Sequence, residues 1–560
     1  MKTRWYKDAV IYQIYPRSFC DSNGDGIGDL QGIISKLDYI KSLGVDAVWL
    51  SPIYKSPNDD NGYDISDYRD IQEDFGTLDD FKELVKGLHD RGLKLIMDLV
   101  VNHTSDEHMW FKESRKSKDN PYRDYYFWRK GKSDKKPPNN WMSNFVGPAW
   151  EYDKTTDEYY LHLFSKKQPD LNWDNPKVRQ EVIDICNYWF ELGVDGFRCD
   201  VITYISKEKG LPDGSFKEFF SSMPLLGFTH YCMGPNYHKY IHELNLHAFS
   251  KYDTMTVGEA SGITYKDAFE SIDENVQELD SVFTFEHVSA DMILQVFPKK
   301  LNFVKFKKIL THWQELPKTS QPTMFLENHD QPRSWPRFVN YCWDNKEKAA
   351  KMLLVAMQMQ RGTPYIYEGQ EIGMTNVNFK VEDYKDILTT NVFKKVGNNK
   401  LLMKFAQKVF LKRARDHART PMQWDDTKNA GFTSGEPWMM VNPNYTEVNV
   451  KQSEKDPNSI LNFYKKFLAF RKGKDVIISG DYIPYYEKNK KLFVYNRKLK
   501  DKAYFVICNF VNKDVKFKLP KDMKFISAKV AISNYEDGEI GALESRIIKP
   551  FEATVYEVQY

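Results

Sequence analysis

The stretch VDGFRCDVI, at 194–202, decides the fold of this 560-residue chain. It is a short apolar and β-branched run that ends in charged residues, and a segment of helical period precedes it at 175–193. Such a run beside a helix is typical of strands that alternate with crossover helices. The pattern recurs, giving eight runs: AVIYQIYPRSF (9–19), VDAVWLSPIY (45–54), LKLIMDLVVNH (93–103), VDGFRCDVI (194–202), DTMTVGEA (253–260), SVFTFEH (281–287), TMFLENHD (323–330) and TPYIYEGQEIG (363–373).

Eight alternating strands predict an α/β fold, a (β/α)8 TIM barrel. A doubly wound open sheet is the alternative, but it usually has fewer strands and a glycine-rich phosphate turn after the first one. GDGIGD, at 24–29, follows a polar loop and lacks the GxGxxG spacing of that turn. In a barrel, the polar residues that end the strands lie on one face, where the active sites of this architecture are built.

Two interruptions predict further domains. About 70 residues separate the third strand from the next helix, which is far longer than a usual βα loop and predicts an inserted B domain. From about 480 onward, alternating runs without helices predict an antiparallel β-sandwich. The predicted divisions are a catalytic barrel at 1–103 and 175–480, the B domain at 104–174 and the C-terminal domain at 481–560.

The charge balance and the cysteine content indicate which partners and which cellular compartment to expect. The 80 Lys and Arg balance 78 Asp and Glu, so no basic face for a nucleic-acid backbone is expected. The six cysteines form no CxxC pair, which favours a reducing compartment. No stretch is apolar for 18 residues and the N-terminus lacks a signal-peptide pattern, so we expect a cytoplasmic monomer without a membrane partner.

Three carboxylates end predicted strands: Asp200 in GFRCDVI, Glu259 in TVGEA and Asp330 in ENHDQPR. Three acidic groups at one barrel mouth have the composition that acid and base chemistry on a glycosidic bond requires. The alternative for each one alone is a helix cap. Arg198, two positions before Asp200, shares its face of the strand and can keep that carboxylate ionised. Two strand-end histidines, His103 and His329, are candidates for binding substrate hydroxyls.

Metal binding is predicted at a loop and not in the catalytic site. No HExxH motif or helical His pair is present, which disfavours catalytic zinc, and no catalytic cofactor is expected. DSNGDGIGD, at 21–29, alternates oxygen-bearing residues as the first half of an EF-hand loop does, although Gly32 replaces the usual Glu at position 12. We therefore expect structural Ca²⁺ or Mg²⁺, with an Asx-rich turn without metal as the alternative.

Four motifs in order carry a family resemblance: DLVVNH (98–103), GFRCDVI (196–202), TVGEA (256–260) and NHDQPR (328–333). They resemble the conserved blocks of the α-amylase superfamily, glycoside hydrolase family 13. Further segments are similar to its oligo-1,6-glucosidase branch, namely QPDLNW (168–173), GMTNVNF (373–379), ARTPMQW (418–424) and GEPWMMVNPNY (435–445). The resemblance implies a small oligosaccharide substrate and a retaining, exo-acting enzyme that cleaves α-1,6-glucosidic bonds.

The resemblance also implies individual roles. Asp200 would be the nucleophile, Glu259 the general acid/base and Asp330 the carboxylate that stabilises the transition state. Val201, where the α-1,4-preferring maltases of the branch have Thr, would favour α-1,6 bonds. The remaining implied residues surround the terminal glucose (Asp60, Tyr63, His103, Phe164, Arg198, His329 and Arg415) or bind the structural metal (Asp21, Asn23, Asp25, the carbonyl of Ile27, and Asp29).

Departures and alternatives remain. Cys199 and Glu327 differ from the residues usual in the family beside catalytic positions, which puts rate and fine specificity in question. Sucrose isomerisation, α-1,4-glucosidase action and trehalose-6-phosphate hydrolysis are alternatives in the same fold, although QPRSWPRF (331–338) is more similar to the hydrolases than to the isomerases. A transporter heavy chain is the non-enzymatic alternative, but such a protein is expected to have a transmembrane segment and to lack the carboxylates.

Overall fold

Eight parallel strands, one in each run predicted as a strand, form the central sheet of the computed structural model. They are β1 (Ile11–Ile14), β2 (Ala47–Leu50), β3 (Lys94–Leu99), β4 (Gly196–Cys199), β5 (Met255–Glu259), β6 (Ser281–Phe283), β7 (Thr323–Met324) and β8 (Thr363–Tyr367). Their order is β6-β5-β4-β3-β2-β1-β8-β7, and each neighbouring pair is parallel. The predicted (β/α)8 barrel is therefore confirmed. The structure describes residues 4–132, 136–220, 223–293, 296–339, 342–521, 523–536 and 543–560.

Side-chain hydroxyls connect β6 and β7, the two end strands of this order. The Ser281 hydroxyl donates to the carbonyl of Gln321 at 2.5 Å. The Thr323 hydroxyl donates to the carbonyl of Val282 at 3.0 Å. These two bonds bring the ends of the sheet together and make it a nearly closed barrel.

Helices cover the outside of the barrel, so its strands are buried on both faces as parallel strands usually are. The segment predicted to be helical at 175–193 forms a helix capped by the side chain of Asn175, with Pro176 in its first turn. The α-helices are α1 (Pro16–Phe19), α2 (Leu30–Ser35), α3 (Leu37–Ser42), α4 (Leu78–Asp90), α5 (Met109–Ser114), α6 (Pro176–Glu191), α7 (Phe228–Tyr231), α8 (Tyr237–His247), α9 (Tyr265–Ile272), α10 (Phe303–Gln314), α11 (Ser334–Phe338), α12 (Lys346–Gln358), α13 (Ile387–Val396), α14 (Lys400–Arg413), α15 (Asp416–Arg419), α16 (Val450–Lys455), α17 (Ile460–Arg471) and α18 (Asp475–Ser479).

The segment between β3 and α6 contains a small antiparallel sheet, with the strands Trp128–Arg129, Trp150–Asp153 and Glu158–Leu161. Its aromatic side chains pack against residues that follow β4, including Val201 and Tyr204. The inserted segment therefore lies over the carboxyl-terminal end of the barrel strands. Two further antiparallel strand pairs are Tyr54–Lys55 with Asp67–Ile71, and Met292–Ile293 with Phe297–Pro298.

The C-terminal region is an antiparallel β domain, as predicted from its alternating pattern. Its strands are β9 (Asp481–Tyr485), β10 (Leu492–Leu499), β11 (Lys502–Asn509), β12 (Val515–Lys518), β13 (Ser527–Ser533), β14 (Ser545–Ile548) and β15 (Ala553–Gln559). A five-stranded sheet has the order β9-β10-β11-β15-β13, and β12 pairs with β14. The exact domain boundaries predicted above stay predictions, and residues 1–3 of the predicted barrel domain lie outside the described residues.

In the described part of the chain, no helix combines the length and the apolar character that crossing a membrane requires. The six cysteines are free thiols, and Cys20, Cys186, Cys199 and Cys508 are buried.

Candidate active site

A small cavity opens at the carboxyl-terminal ends of the barrel strands, with a volume of ≈ 70 Å³. Nine of the eleven residues predicted to contact substrate line it, and Phe145 joins them. The two others, Arg198 and His329, are buried directly behind the lining residues, which they contact. The nine are Asp60, Tyr63, His103, Phe164, Asp200, Val201, Glu259, Asp330 and Arg415.

One guanidinium group organises the carboxylates at this cavity. Arg198 donates through Nη1 to Asp98 at 2.8 Å and to Asp200 at 2.7 Å. Its Nη2 donates to Glu259 Oε2 at 2.5 Å, and the same oxygen accepts the backbone N–H of Val201 at 3.2 Å. Because β4 and β5 are adjacent parallel strands, their ends bring Asp200 and Glu259 to the two nitrogens of one fork.

Burial affects these carboxylates more than the sequence indicated. It raises the pKa of Asp200 well above the usual range, while Arg198 opposes the rise and Glu259 and Asp98 reinforce it. Burial likewise raises the pKa of Asp98 against the attraction of Arg198. The prediction that Arg198 keeps Asp200 ionised did not account for burial or for the two other acidic groups that share this one cation.

Asp330 has a different environment. Its Oδ1 accepts from Arg415 at 3.2 Å and from Arg419 at 2.8 Å, and its Oδ2 lies 3.2 Å from His329 Nε2. Burial alone would raise its pKa, but these three groups together hold the pKa of Asp330 well below the usual range. Asp330 is thus kept as a carboxylate.

Asp60 and Arg415 form an ion pair at one end of the cavity. Arg415 Nη2 lies 3.2 Å from Asp60 Oδ1, and Gln168 donates to the other oxygen of Asp60 at 3.2 Å. Arg415 Nε donates to Asp386 at 2.6 Å, while the Asp386 side chain also caps α13. Burial raises the pKa of Asp60 to about 7, although the positive charges of Arg415 and Arg419 lower it in part.

Neutral polar groups contact both predicted histidines, and His329 also contacts the Asp330 carboxylate. Gln13 donates to Nδ1 of His329 at 2.8 Å. The other ring nitrogen of His329, Nε2, lies 2.7 Å from the hydroxyl of Tyr63, a residue that lines the cavity. Burial lowers the pKa of His103 to about 4, so its ring is neutral at pH 7. Its Nε2 lies 3.1 Å from the carbonyl of Tyr63 and 3.2 Å from the amide nitrogen of Gln168.

Val201 adopts a backbone conformation that β-branched residues rarely adopt. Strand β4 ends at Cys199, and Val201 has φ of 35° and ψ of 38°. A continued strand would point Val201 away from Asp200. The left-handed turn instead places both side chains at the cavity, and such strain in a Val is characteristic of functional sites.

The predicted metal loop is held by its own hydrogen bonds. Asp21 accepts the amides of Asn23, Gly24 and Gly26 and the hydroxyl of Thr433. Asn23 and Asp25 accept the amides of Asp25 and Ile27, and Asp29 caps α2.

The oxygen chemistry of this loop fits a hard cation. In the described residues, no group of three or more His, Cys, Asp or Glu is arranged to hold a metal ion. The Ca²⁺ or Mg²⁺ site stays a prediction.

Sequence reasoning missed four polar residues that support the cavity: Asp98, Gln168, Asp386 and Arg419. Asp98 begins the DLVVNH motif and Gln168 begins QPDLNW, so their positions within motifs were available signals. Asp386 lies in no recognisable pattern, because it reaches the site through a long loop after β8.

The fold and the buried carboxylates at the barrel mouth define a glycoside hydrolase. The chain belongs to the α-amylase family, in its oligo-1,6-glucosidase branch, since the α-amylase catalytic domain matches residues 13–480. It is 52% identical to an oligo-1,6-glucosidase of Parageobacillus thermoglucosidasius and 51% identical to one of Bacillus cereus, with 100% of each chain covered.

Solved structures of the same family are close in shape. A trehalose-6-phosphate hydrolase of Bacillus licheniformis has a TM-score of 0.94 at 44% identity. A trehalulose synthase of Pseudomonas mesoacidophila has a TM-score of 0.95 at 40% identity. Both comparisons cover 100% of each chain. The predicted family and fold are confirmed.

Proposed function

We propose that this enzyme is a retaining, exo-acting α-glucosidase that hydrolyses α-1,6-glucosidic bonds at the non-reducing end of isomaltose and short isomalto-oligosaccharides. The observation that carries the proposal is the fork of Arg198, which holds Asp200 and Glu259 beside each other in a cavity with an ion pair at one end. The full-length similarity to oligo-1,6-glucosidases supports the linkage.

In the first step, Asp200 attacks the anomeric carbon while Glu259 gives its proton to the leaving oxygen. A covalent glucosyl-enzyme forms, and Arg198 stabilises the carboxylates as their charges change. In the second step, Glu259 takes a proton from water, which attacks the same carbon and releases α-glucose. Asp330, kept ionised by Arg415 and Arg419, stabilises the positive charge that develops on the sugar.

The remaining residues orient the terminal glucose. Asp60 and Arg415 would bind hydroxyls at the end of the pocket, and His103 and His329 would bind those along its sides. Phe164 and Tyr63 offer ring faces to the apolar side of the sugar. This set accounts for one glucose unit, which supports exo action on short substrates.

The alternatives differ in product and are separated by one assay. The purified enzyme is incubated in turn with isomaltose, maltose, sucrose and trehalose 6-phosphate, and the products are identified by NMR. We expect glucose, released first as the α anomer, with isomaltose as the preferred substrate. A preference for maltose or trehalose 6-phosphate, or formation of a sucrose isomer, would overturn the proposal.

Three further features complete the proposal. A cytoplasmic location is supported by six free cysteines, which suit a reducing compartment. The balanced net charge of +2 gives no support for nucleic-acid binding. The protein is proposed to act as a monomer, since this chain by itself supplies the carboxylates, the ion pair and the ring faces that the proposed mechanism requires.

A further inference from the structure

A second cavity, of ≈ 460 Å³, lies between the inserted segment and α13. The mechanism described above does not use it. Phe145 and Phe164 line this cavity and also the catalytic cavity, so the two are neighbours. Most of its lining is polar or charged, which distinguishes it from an apolar packing defect.

His162 lines this cavity and, in the part of the chain that the structure describes, has a buried hydrogen-bond acceptor without a partner. Its side chain is 5% exposed, and Nδ1 lies 3.1 Å from the carbonyl of Phe164, so Nδ1 carries the proton and donates. Burial lowers the pKa of His162, which keeps the ring neutral and leaves Nε2 as an acceptor. Among the described residues, Nε2 has no hydrogen-bond partner. A buried acceptor without a partner is unfavourable, and a ligand hydroxyl would satisfy it.

Positive charge is in excess around the same cavity. Four lysines line it, against the carboxylates of Asp59 and Glu151, and Asp59 already accepts the Ser165 hydroxyl at 2.5 Å. Within the described part of the chain, none of the four ammonium groups lies within ion-pair distance of a carboxylate, although the charge of Lys167 also acts on Asp106. Unpaired cations of this kind bind phosphate well. The lysines are Lys166, Lys167, Lys385 and Lys394.

We propose that this cavity is a non-catalytic binding site for a phosphorylated sugar. The lysines bind the phosphate, His162 Nε2 accepts from a sugar hydroxyl, and the rings of Phe145 and Phe164 contact the sugar. The proposal goes beyond the glucosidase function. An occupant would affect the catalytic cavity through Phe145, because the Arg415 guanidinium lies 5.2 Å from the centre of that ring.

The test compares affinities by isothermal titration calorimetry, with glucose 6-phosphate, inorganic phosphate and glucose as probes. We expect the intact protein to bind glucose 6-phosphate more tightly than either of the others. The double variant Lys166→Ala/Lys394→Ala should weaken glucose 6-phosphate binding about tenfold. Lys395→Ala, which removes a lysine of α13 that does not line the cavity, is the matched control and should leave binding unchanged.

Two further measurements test the contact between His162 and the sugar, and the separation of this site from the catalytic cavity. His162→Phe should weaken glucose 6-phosphate binding but not phosphate binding; if that variant does not fold, the surface lysine variants still decide the phosphate contact. In Asp200→Asn, saturating isomaltose should leave glucose 6-phosphate bound. Unchanged affinity in the double lysine variant, equal affinity for phosphate and glucose 6-phosphate, or full displacement by isomaltose would each overturn the proposal.

Discussion

The guanidinium of Arg198 carries one positive charge and contacts three acidic side chains, Asp98, Asp200 and Glu259. If all three side chains were ionised, their three negative charges would exceed the single positive charge of Arg198 in a buried site. Burial raises the pKa of Asp98 and Asp200, so the cluster tends to retain a proton. The proposed mechanism needs one proton in this cluster, carried by Glu259 as the acid, while Asp200 is ionised as the nucleophile.

The first prediction concerns the two reacting carboxylates. Asp200→Asn and Glu259→Gln should each lower kcat on an aryl α-glucoside by about a thousandfold or more, since the two groups act as a unit. Folding should persist, because either change removes negative charge from a crowded cluster. Thermal melts and steady-state rates of the purified variants test this. Near wild-type rates in either variant would contradict the assigned roles.

Val201 is the residue on which linkage preference is predicted to depend. Val and Thr have nearly the same shape but differ by a hydroxyl, and the left-handed turn exposes this side chain to the cavity. One polar contact is worth about 1 to 3 kcal/mol, so kcat/KM should favour isomaltose over maltose by about tenfold or more. Val201→Thr should raise hydrolysis of maltose relative to isomaltose. A wild type that prefers maltose, or an unchanged ratio, would refute this prediction.

At the scale of elements, the residue that caps α13 also supports the cavity. Asp386 accepts the amide of Thr389 at 3.0 Å through one oxygen and binds Arg415 through the other. Burial alone would raise the pKa of Asp386, but Arg415 and Arg419 outweigh burial and lower this pKa. The Asp386 side chain is therefore anionic. The start of this helix therefore fixes the position of Arg415.

Asp386→Asn should loosen Arg415 while the amide oxygen still caps the helix. The expected result is a KM for isomaltose raised about tenfold or more, with a smaller change in kcat, because substrate positioning is lost and the reacting groups remain. Thr389→Val, which removes only the hydroxyl bond to the same carboxylate, is the control. Equal KM values in Asp386→Asn and the wild type would show that Arg415 needs no such support.

The loop before α2 tests the predicted structural metal. If Asp21, Asn23, Asp25 and Asp29 bind Ca²⁺ or Mg²⁺, a chelator should lower the melting temperature by mass action and leave initial rates at 25 °C nearly unchanged. Burial alone would raise the pKa of Asp21, but hydrogen bonds from Thr433, Gly24 and Gly26 outweigh burial and lower this pKa, which favours the carboxylate form that a metal ligand needs. A melting temperature that does not respond to chelator or added Ca²⁺ would leave the Asx-rich turn as the correct interpretation.

At the scale of the whole molecule, short sequence patterns predicted the features of the fold that depend on short stretches of sequence. The eight strand runs, the residues at their ends and the antiparallel C-terminal domain follow from hydrophobic periodicity and motif spacing. The left-handed turn at Val201 and the reach of Asp386 to Arg415 could not be predicted, because they arise from tertiary packing and a long loop. The same holds for the burial that raises the pKa of Asp200.

The arrangement of the whole molecule predicts whether the enzyme cleaves polymers internally or only from their ends. The inserted segment contributes Phe145 and Phe164 to the cavity, and the segment after β8 contributes Arg415, whose pair with Asp60 occupies one end. A chain that threaded through would have to separate this buried pair, which is strongly unfavourable. We therefore expect dextran and starch solutions to keep nearly their initial viscosity while glucose accumulates slowly from the ends. Viscometry with a parallel glucose assay tests this, and a fall in viscosity before glucose appears would show internal cleavage.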